Sequence, residues 1–325
     1  MTALLGQVEK LYGAELVNEN KLGNSANVIF EIAVCNQPAI LRISRYSEQK
    51  KRHVELELAW LQHLAQHVGS VAVPLASGNG NLYEVVGPEG DRWIFCVFHK
   101  APVHIVDITN PLEWNELLFQ GIGELMGRIH ANTKPYVREN GMDEQLDWRH
   151  NYLFWPENNQ WSDPDIQPIW DRTLEEMRAL PKMQADYGIV HTDIHHQNFH
   201  VEEGKIVLFD FDDCEYSWYA YDIASTLFFV ASTGDIDDAQ SGKAVMESFG
   251  VPFLAGYRKH AELPAHWFEM MPLFLRYRRL AQYKYFFNLF HGRPNPHERY
   301  LNWAKQDILG GFTHLRYDFF SLVKQ

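Results

Sequence analysis

Along the chain, apolar residues follow one periodicity for about a hundred residues and then another. Leu4, Leu5, Val8 and Leu11 recur at helical spacing and stop at Gly13, which predicts a short amphipathic helix over 2–12. Strand-like runs follow in KLGNSANVIFEIAV, joined by the small polar turn Gly23-Asn24-Ser25-Ala26-Asn27. After the turn Cys35-Asn36-Gln37-Pro38, the run AILRIS over 39–44 reads as the next strand. Val54, Leu58, Leu61, Ala65 and Val68 then mark a helix over 47–68, with Lys50-Lys51-Arg52 as a solvated face. Glu57 shares the apolar face with Leu61, Leu64 and Val68, whereas Glu55 lies about 200° round the helix and faces out. Strands over 74–77, 82–86 and 93–98 are separated by the Gly-rich turns GNGN and GPEG, and the last is apolar throughout, hence buried.

Past His99-Lys100-Ala101-Pro102 the pattern turns helical, which sets an expected boundary between residues 1–99 and 100–325. Trp114, Leu118, Ile122, Leu125 and Ile129 predict a helix over 112–131. Residues 133–165, rich in Pro, Asn, Asp and Trp, read as an irregular insert, followed by a helix over 166–184. The insert's Trp148, Trp155 and Trp161 either touch a ligand or stabilise a surface, and pattern alone does not choose. After Asp222 the chain is expected to be helical to its end, with breaks at 233–238, near Gly250 and at Gly292-Arg293-Pro294. Phe274, Tyr277, Ala281, Tyr285 and Leu289 form a stripe that reads as core packing. Strands first and helices afterwards give a two-lobed α+β architecture.

Composition narrows the partners. A formal charge of -13 argues against nucleic acid and against an anionic membrane surface, since both demand basic patches, and it suits a cationic substrate. No apolar run reaches membrane-span length, and MTALLGQVEKLYG lacks the basic and apolar regions of a signal peptide. Cys35, Cys96 and Cys214, odd in number and widely spaced, offer no disulfide framework and point to a reducing, cytoplasmic setting.

The chemistry concentrates between Gly188 and Ala224. His191, Asp193 and Asn198 are spaced as H-x-D-x-x-x-x-N, and Asp210, Asp212 and Asp213 follow an apolar run. The segment between reads as a hairpin, strand 199–201, turn Glu202-Glu203-Gly204, strand 206–209, which returns the chain to its start. Asp193, Asn198 and Asp210 are therefore expected at one end of it. Two carboxylates and an amide oxygen are hard ligands suited to Mg²⁺, with one carboxylate left as a base. His191, His195, His196 and His200 also invite a zinc reading, but the segment does not read as a helix that would align them.

HTDIHHQN, LFDFDD and YDIA, in that order and spacing, resemble the catalytic core of the aminoglycoside phosphotransferase and choline kinase family, with Thr192 where the family has Gly. The resemblance implies a protein-kinase-like fold: a small antiparallel-sheet N-lobe with one long helix and a larger, mainly helical C-lobe. It implies an ATP-dependent phosphotransferase acting on a hydroxyl of a small molecule, with ATP and Mg²⁺ as cofactors, as a monomer or homodimer. On this reading Asp193 is the base and His191 supports its loop; Asn198 and Asp210 hold the metal. Asp212 and Asp222 become a second metal ligand or structural braces. Gly23, Asn24, Ser25 and Asn27 form the nucleotide-covering loop, Arg42 braced by Glu57 holds phosphates, and Phe98 and His99 belong to the adenine-holding hinge. Glu215, Tyr216, Trp218 and Tyr219, next to the Asp cluster, supply a carboxylate and aromatic faces for an amine-bearing acceptor, a lean shared by the acidic turn Asp235-Asp237-Asp238. Three alternatives share these motifs: a Ser/Thr protein kinase, a homoserine-kinase-like enzyme and a nucleotide-binding pseudoenzyme. The first lacks a D-F-G to A-P-E activation segment between Asp210 and Asp222.

Overall fold

The computed structural model describes residues 2–17, 23–24, 27–154, 163–235, 238–290, 294–319 and 322. The chain divides into two compact units, Met1–Ile105 with Phe199–Asp212, and Val106–Asn198 with Asp213–Gln325. The hairpin at 199–212, assigned on sequence to the C-terminal lobe, thus packs with the first unit. Its Leu208 forms a parallel bridge with Val71, and Leu208 N–H and C=O exchange hydrogen bonds with Ser70 O (2.9 Å) and Ala72 N (2.8 Å).

In the first unit, helix α1 (Thr2–Tyr12) and strands β1 (Ala14–Leu16), β2 (Gly23–Asn24), β3 (Val28–Val34) and β4 (Gln37–Arg45) precede helix α2 (Glu48–His67). Strands β5 (Pro74–Leu75), β6 (Tyr83–Val86) and β7 (Trp93–His99) complete an antiparallel sheet of order β1-β3-β4-β7-β5, with β2 on β3 and β6 on β7. Cys35 and Asn36 turn β3 into β4 with φ of 50° and 62°, as a tight hairpin of the right twist requires. Alternation along β4 and β7 then sorts the two faces. Ala39, Leu41, Ile43, Phe95 and Val97 pack with Val8 and Tyr12 of α1 as the apolar face. The intervening Arg42, Ser44, Cys96 and Phe98 look the other way, and Arg42 meets α2 there.

Glu57 turns inward and receives both Arg42 Nη atoms, Nη1 to Oε1 at 2.8 Å and Nη2 to Oε2. Glu55 faces solvent, accepting from Tyr83 Oη at 2.7 Å. Ser47 caps α2 by accepting from Lys50 N.

The second unit is mainly helical. Its elements are α3 (Glu116–Asn140), α4 (Gln167–Arg178), α5 (Tyr219–Ala231), α6 (Ala239–Tyr257), α7 (His266–Phe290) and α8 (Glu298–Leu309). Strands β8 (Tyr187–Val190) and β11 (Glu215–Trp218) pair antiparallel, while β9 (Phe199–Glu202) and β10 (Lys205–Leu208) make the hairpin of the first unit. Helix α3 starts later than expected, at the Asn115 cap, and runs on through Pro135, because Pro135 is exposed while Thr133 and Val137 continue the buried stripe. Single-turn helices at Glu144–Leu146, Trp148–His150 and Tyr152–Phe154 give the insert more order than its composition implied. Gly250 does not break α6; it lies inside the helix, where a Cβ would come within 3.0 Å of Leu322. The break at 233–238 is present, and Asp238 caps α6 by accepting from Gln240 N, whereas Asp237 and Gly292-Arg293 lie outside the described residues.

Helix α5 is buried on nearly every side. Helices α3 and α6 approach through glycines: a Cβ on Gly123 would meet Phe253 O at 1.9 Å, and one on Gly256 would meet Gln120 O at 2.1 Å. No helix among the described residues is long and apolar enough to cross a membrane.

The Arg42–Glu57 pair gives a stability test. Arg42→Ala leaves a buried carboxylate without its partner, so chemical denaturation should show a loss of about 3–5 kcal/mol. Glu55→Ala, on the solvent face, should stay within about 0.5 kcal/mol of wild type.

Candidate active site

Strand β8 ends at Val190, and the next residues enter a loop whose backbone is held from below by one side chain. Asp222, in the first turn of α5, is fully buried and accepts from Thr192 N (2.7 Å), His191 N (3.2 Å) and His130 Nε2 (3.0 Å). A carboxylate only accepts, so His130 carries its proton on Nε2 and its Nδ1 takes the hydrogen bond from Tyr257 Oη at 3.0 Å. Burial would raise the Asp222 pKa, but these donors, His130 first, hold it below the usual carboxylate range.

Thr192 sits in left-handed backbone, φ 69°, where the resembled family has Gly. For a β-branched residue this conformation costs on the order of 1–3 kcal/mol. Three bonds offset the cost: Thr192 N to Asp222, Ser225 Oγ to Thr192 O, and Thr192 Oγ1 to Asp213 O at 3.2 Å.

The loop so held presents Asp193. Its Oδ1 accepts from Arg278 Nη2 of α7 at 2.7 Å; its Oδ2 accepts from Asn198 Nδ2 at 2.9 Å and lies 3.3 Å from His195 Nε2. Gln197 N donates to His195 Nδ1 at 3.2 Å, so that nitrogen is bare and Nε2 carries the proton toward Asp193. Burial works to raise the Asp193 pKa; the His195 hydrogen bond and the Arg278 charge outweigh it and hold the carboxyl well below its ordinary value. His191 is fully buried, and its Nδ1 accepts from Asp193 N at 3.3 Å, bracing the loop from within. Asn198 Nδ2 also donates to Asp193 O at 2.9 Å, which leaves the Asn198 carboxamide oxygen as the atom presented to a ligand.

The remaining histidines have packing roles. The His195 ring lies 4.8 Å from Phe229, that of His196 lies 6.3 Å from Trp114, and His200 Nδ1 meets Pro102 O.

In the first unit, the end of the hairpin carries Asp210, with φ 64°, followed by Asp212. Asn27 Nδ2 bonds Asp212 Oδ2, and Asn27 Oδ1 accepts from Ser44 Oγ at 2.6 Å. Asp212 is thereby tied to the Gly23–Asn27 turn and to β4. Burial acts to raise its pKa, and Lys50 and Arg42 hold it below the usual range. The oxygen donors of Asn198 and Asp210 are of the type a hard divalent cation takes. Of the turn itself, β2 gives the backbone pairing Gly23↔Ile29 and Asn24↔Val28, and Ser25 lies outside the described residues. The Phe98 ring sits 5.0 Å from the Arg42 guanidinium. His99 N donates to Val73 O at 2.9 Å, so this hinge N–H is not available to an adenine.

The expected acceptor-binding set is largely a core. Tyr216, Trp218 and Tyr219 are buried because β11 is covered on both faces: Trp218 Nε1 donates to Pro181 O (2.9 Å), Tyr216 Oη to Gly141 O (3.3 Å), and Tyr219 packs on His130. These aromatics are therefore not faces for an amine. Trp148 is equally buried, against Trp218 and Tyr277, which answers the question left open for it; Trp155 and Trp161 lie outside the described residues. Glu215 is buried too, accepting from Asn151 Nδ2 at 2.6 Å. Beyond Asp213 the chain enters β11 and α5 directly, with no activation segment.

Sequence reasoning missed Arg278 and the bond from His195. The signal available was a run of basic residues, Arg276, Arg278, Arg279 and Lys284, inside an otherwise apolar helix, where charges demand partners.

Comparison with known proteins agrees with this geometry. A family model described as "Phosphotransferase enzyme family" matches residues 19–271. Amicoumacin kinase of Bacillus subtilis (strain 168) is 33% identical over 329 residues, spanning 98% of this chain and 95% of its own. The structure of amicoumacin kinase hAmiN in complex with AMP-PNP, Ca2+ and Ami is similar with a TM-score of 0.84 at 27% identity, covering 99% of this chain and 96% of that one. A microcompartment-associated aminopropanol kinase shares the fold, with a TM-score of 0.71 at 22% identity over 97% of this chain and 99% of that one.

Burial, reinforced by Asp147 and Asp213 against the Asn151 bond, pushes the Glu215 carboxyl up to about 8. The unfolded chain gives up this proton near the ordinary value of 4.5, the folded one only near 8. Its contribution to stability is therefore complete below the first value and declines as pH rises toward the second. Glu215→Gln should lose less stability than wild type between pH 5 and pH 8, read as melting temperature in matched buffers. Parallel curves for the two proteins would contradict the assignment.

Proposed function

The chain belongs to the phosphotransferase enzyme family, and from that premise we propose that it transfers the γ-phosphoryl group of MgATP to a hydroxyl of a small, amine-bearing molecule. Within that family it is an enzyme acting on an alcohol group. The observation that carries the finer reading is the Asp193 carboxylate, held on a loop whose backbone is fixed by Asp222 and whose side chain is fixed by Asn198.

In this reading Asp193 receives the proton of the acceptor hydroxyl, and His191 and Asp222 keep its loop in place. Asn198 and Asp210 would hold a divalent cation, whose chemistry is to neutralise charge on the transferring phosphoryl group. Arg42, oriented by Glu57, steadies the phosphates, and the Gly23–Asn27 turn covers them. The work of such a site is positioning plus charge stabilisation, with little covalent chemistry for the protein. Glu215 and Asp213, near Arg278, together with the net charge of -13, favour a cationic acceptor. The acceptor named for the 33% identical relative, amicoumacin, is the first to test, and an amino alcohol such as aminopropanol the second.

Two measurements check this. Asp193→Asn should lower turnover by about 10²–10⁴, the contribution of a positioned acid-base group, while nucleotide binding persists. An ATP-consumption screen over amicoumacin, aminopropanol, aminoglycosides, neutral sugars and protein substrates should show activity among the amines. Activity restricted to uncharged sugars or to protein hydroxyls would overturn the acceptor class and leave the phosphotransferase assignment standing.

A further inference from the structure

Helix α7 carries two adjacent arginines with different surroundings. Arg279 is buried beneath aromatic rings, 4.4 Å from Trp303 and 4.8 Å from Phe228, with Nη1 donating to Tyr300 Oη at 2.8 Å and Nε 3.6 Å from Asp307. It anchors α7 to α5 and α8. Arg278 points instead to the catalytic loop. Its guanidinium lies 4.5 Å from the Phe229 ring, the Tyr221 hydroxyl bonds it, and Nη2 donates to Asp193 Oδ1. A planar fork held on an aromatic face and by a second acceptor has little freedom to swing.

A carboxylate offers about four acceptor sites, two on each oxygen. On Asp193 three are occupied: Asn198 and His195 take both on Oδ2, and Arg278 takes one on Oδ1. The remaining site is on Oδ1, beside Arg278.

We propose that Arg278 is a positioning residue for phosphoryl transfer, fixing the Asp193 carboxylate so that the open lone pair on Oδ1 meets the acceptor hydroxyl. The proposal rests on the reading of Asp193 as the proton acceptor. In the step, the acceptor oxygen forms a bond to the γ-phosphorus of ATP. The bond from that phosphorus to the β–γ bridging oxygen breaks, and its electron pair leaves with ADP. The hydroxyl proton passes to Asp193 Oδ1 and from there to water. A cation beside a base weakens the base, so Arg278 does not serve by raising basicity. A loose transition state asks little of base strength and much of alignment, where a displacement of about 1 Å costs on the order of 10²-fold in rate.

The test uses the full-length enzyme with Arg278→Met and Arg278→Lys, each alone and combined with Asp193→Asn. Rates are taken with ATP and the best acceptor from the screen, and also without acceptor, as ATP hydrolysis with water as the nucleophile. Nucleotide affinity and melting temperature are measured in parallel. Arg278→Met should lower kcat by about 10- to 100-fold, with nucleotide affinity within about twofold of wild type, and Arg278→Lys should recover part of the loss. Added to Asp193→Asn, Arg278→Met should cost little more, because both act on one carboxylate. A kcat within twofold of wild type, a loss confined to the acceptor KM, or full additivity with Asp193→Asn would overturn the proposal. Should Arg278→Met fail to fold, Arg278→Lys carries the test: a melting temperature near wild type with undiminished kcat refutes the role, and a lowered kcat supports it. Near wild-type turnover in Asp193→Asn alone would instead refute the underlying reading of Asp193.

Discussion

Asp222 buries a carboxylate at the start of α5 and surrounds it with three donors, two from the backbone of the His191–Thr192 segment and one from His130. Without those donors a charge in this position would be untenable, and without the charge the segment would lose its anchor. The position also places the anion at a helix N-terminus, where backbone dipoles favour it. Much of the second unit exists to make this arrangement possible. Gly123, Gly127 and Gly256 bring α3 and α6 into backbone contact, so that His130 of α3 and Tyr257 of α6 can meet. A relay of tight packing, neutral imidazole and buried carboxylate ends in a strained Thr192 and the Asp193 that follows it.

The first unit solves a related problem with a sheet. One face of β4 and β7 is given to aliphatic and aromatic side chains under α1, and the other to Arg42, Ser44 and Cys96. The polar face is tolerable because each group has a partner chosen by alternation and helix phase: Glu57 for Arg42, Asn27 for Ser44. Asn27 then reaches on to Asp212, so the turn over the β2–β3 junction and the end of the β9–β10 hairpin are joined by one side chain.

What the sequence disclosed was what is local. H-x-D-x-x-x-x-N sits within one loop, and the phase that turns Glu57 inward is a property of one helix. The hairpin, the helix starts and the order of strands before helices follow from spacing and turn residues in the same way. The misreadings share a cause as well. Trp218 and Tyr219 lie beside the Asp cluster and look like a binding face, but their strand is covered on both sides, a fact set by α3, α7 and the insert. Gly250 and Pro135 resemble helix breakers, yet a glycine can make room for Leu322 and an exposed proline can ride on the outside of a helix. Arg278 stands 85 positions from Asp193, and nothing in its neighbours announces which distant carboxylate it meets.

The membership of the β9–β10 hairpin has a consequence for how the chain is made. Its strands complete the first unit through Val71 and Leu208, Trp60 and Phe211, and His104 and Val201, yet residues 106–198 of the second unit come between. During synthesis the N-terminal sheet must wait, with the Ser70–Ala72 backbone unpaired, until residue 208 has emerged. Neither unit is then a contiguous stretch of chain, and a fragment cut at residue 105 would lack the strand that closes its own edge. The last steps of folding are long-range closures, with the entropy of a long loop to overcome, so assembly of the two units is interlocked in time.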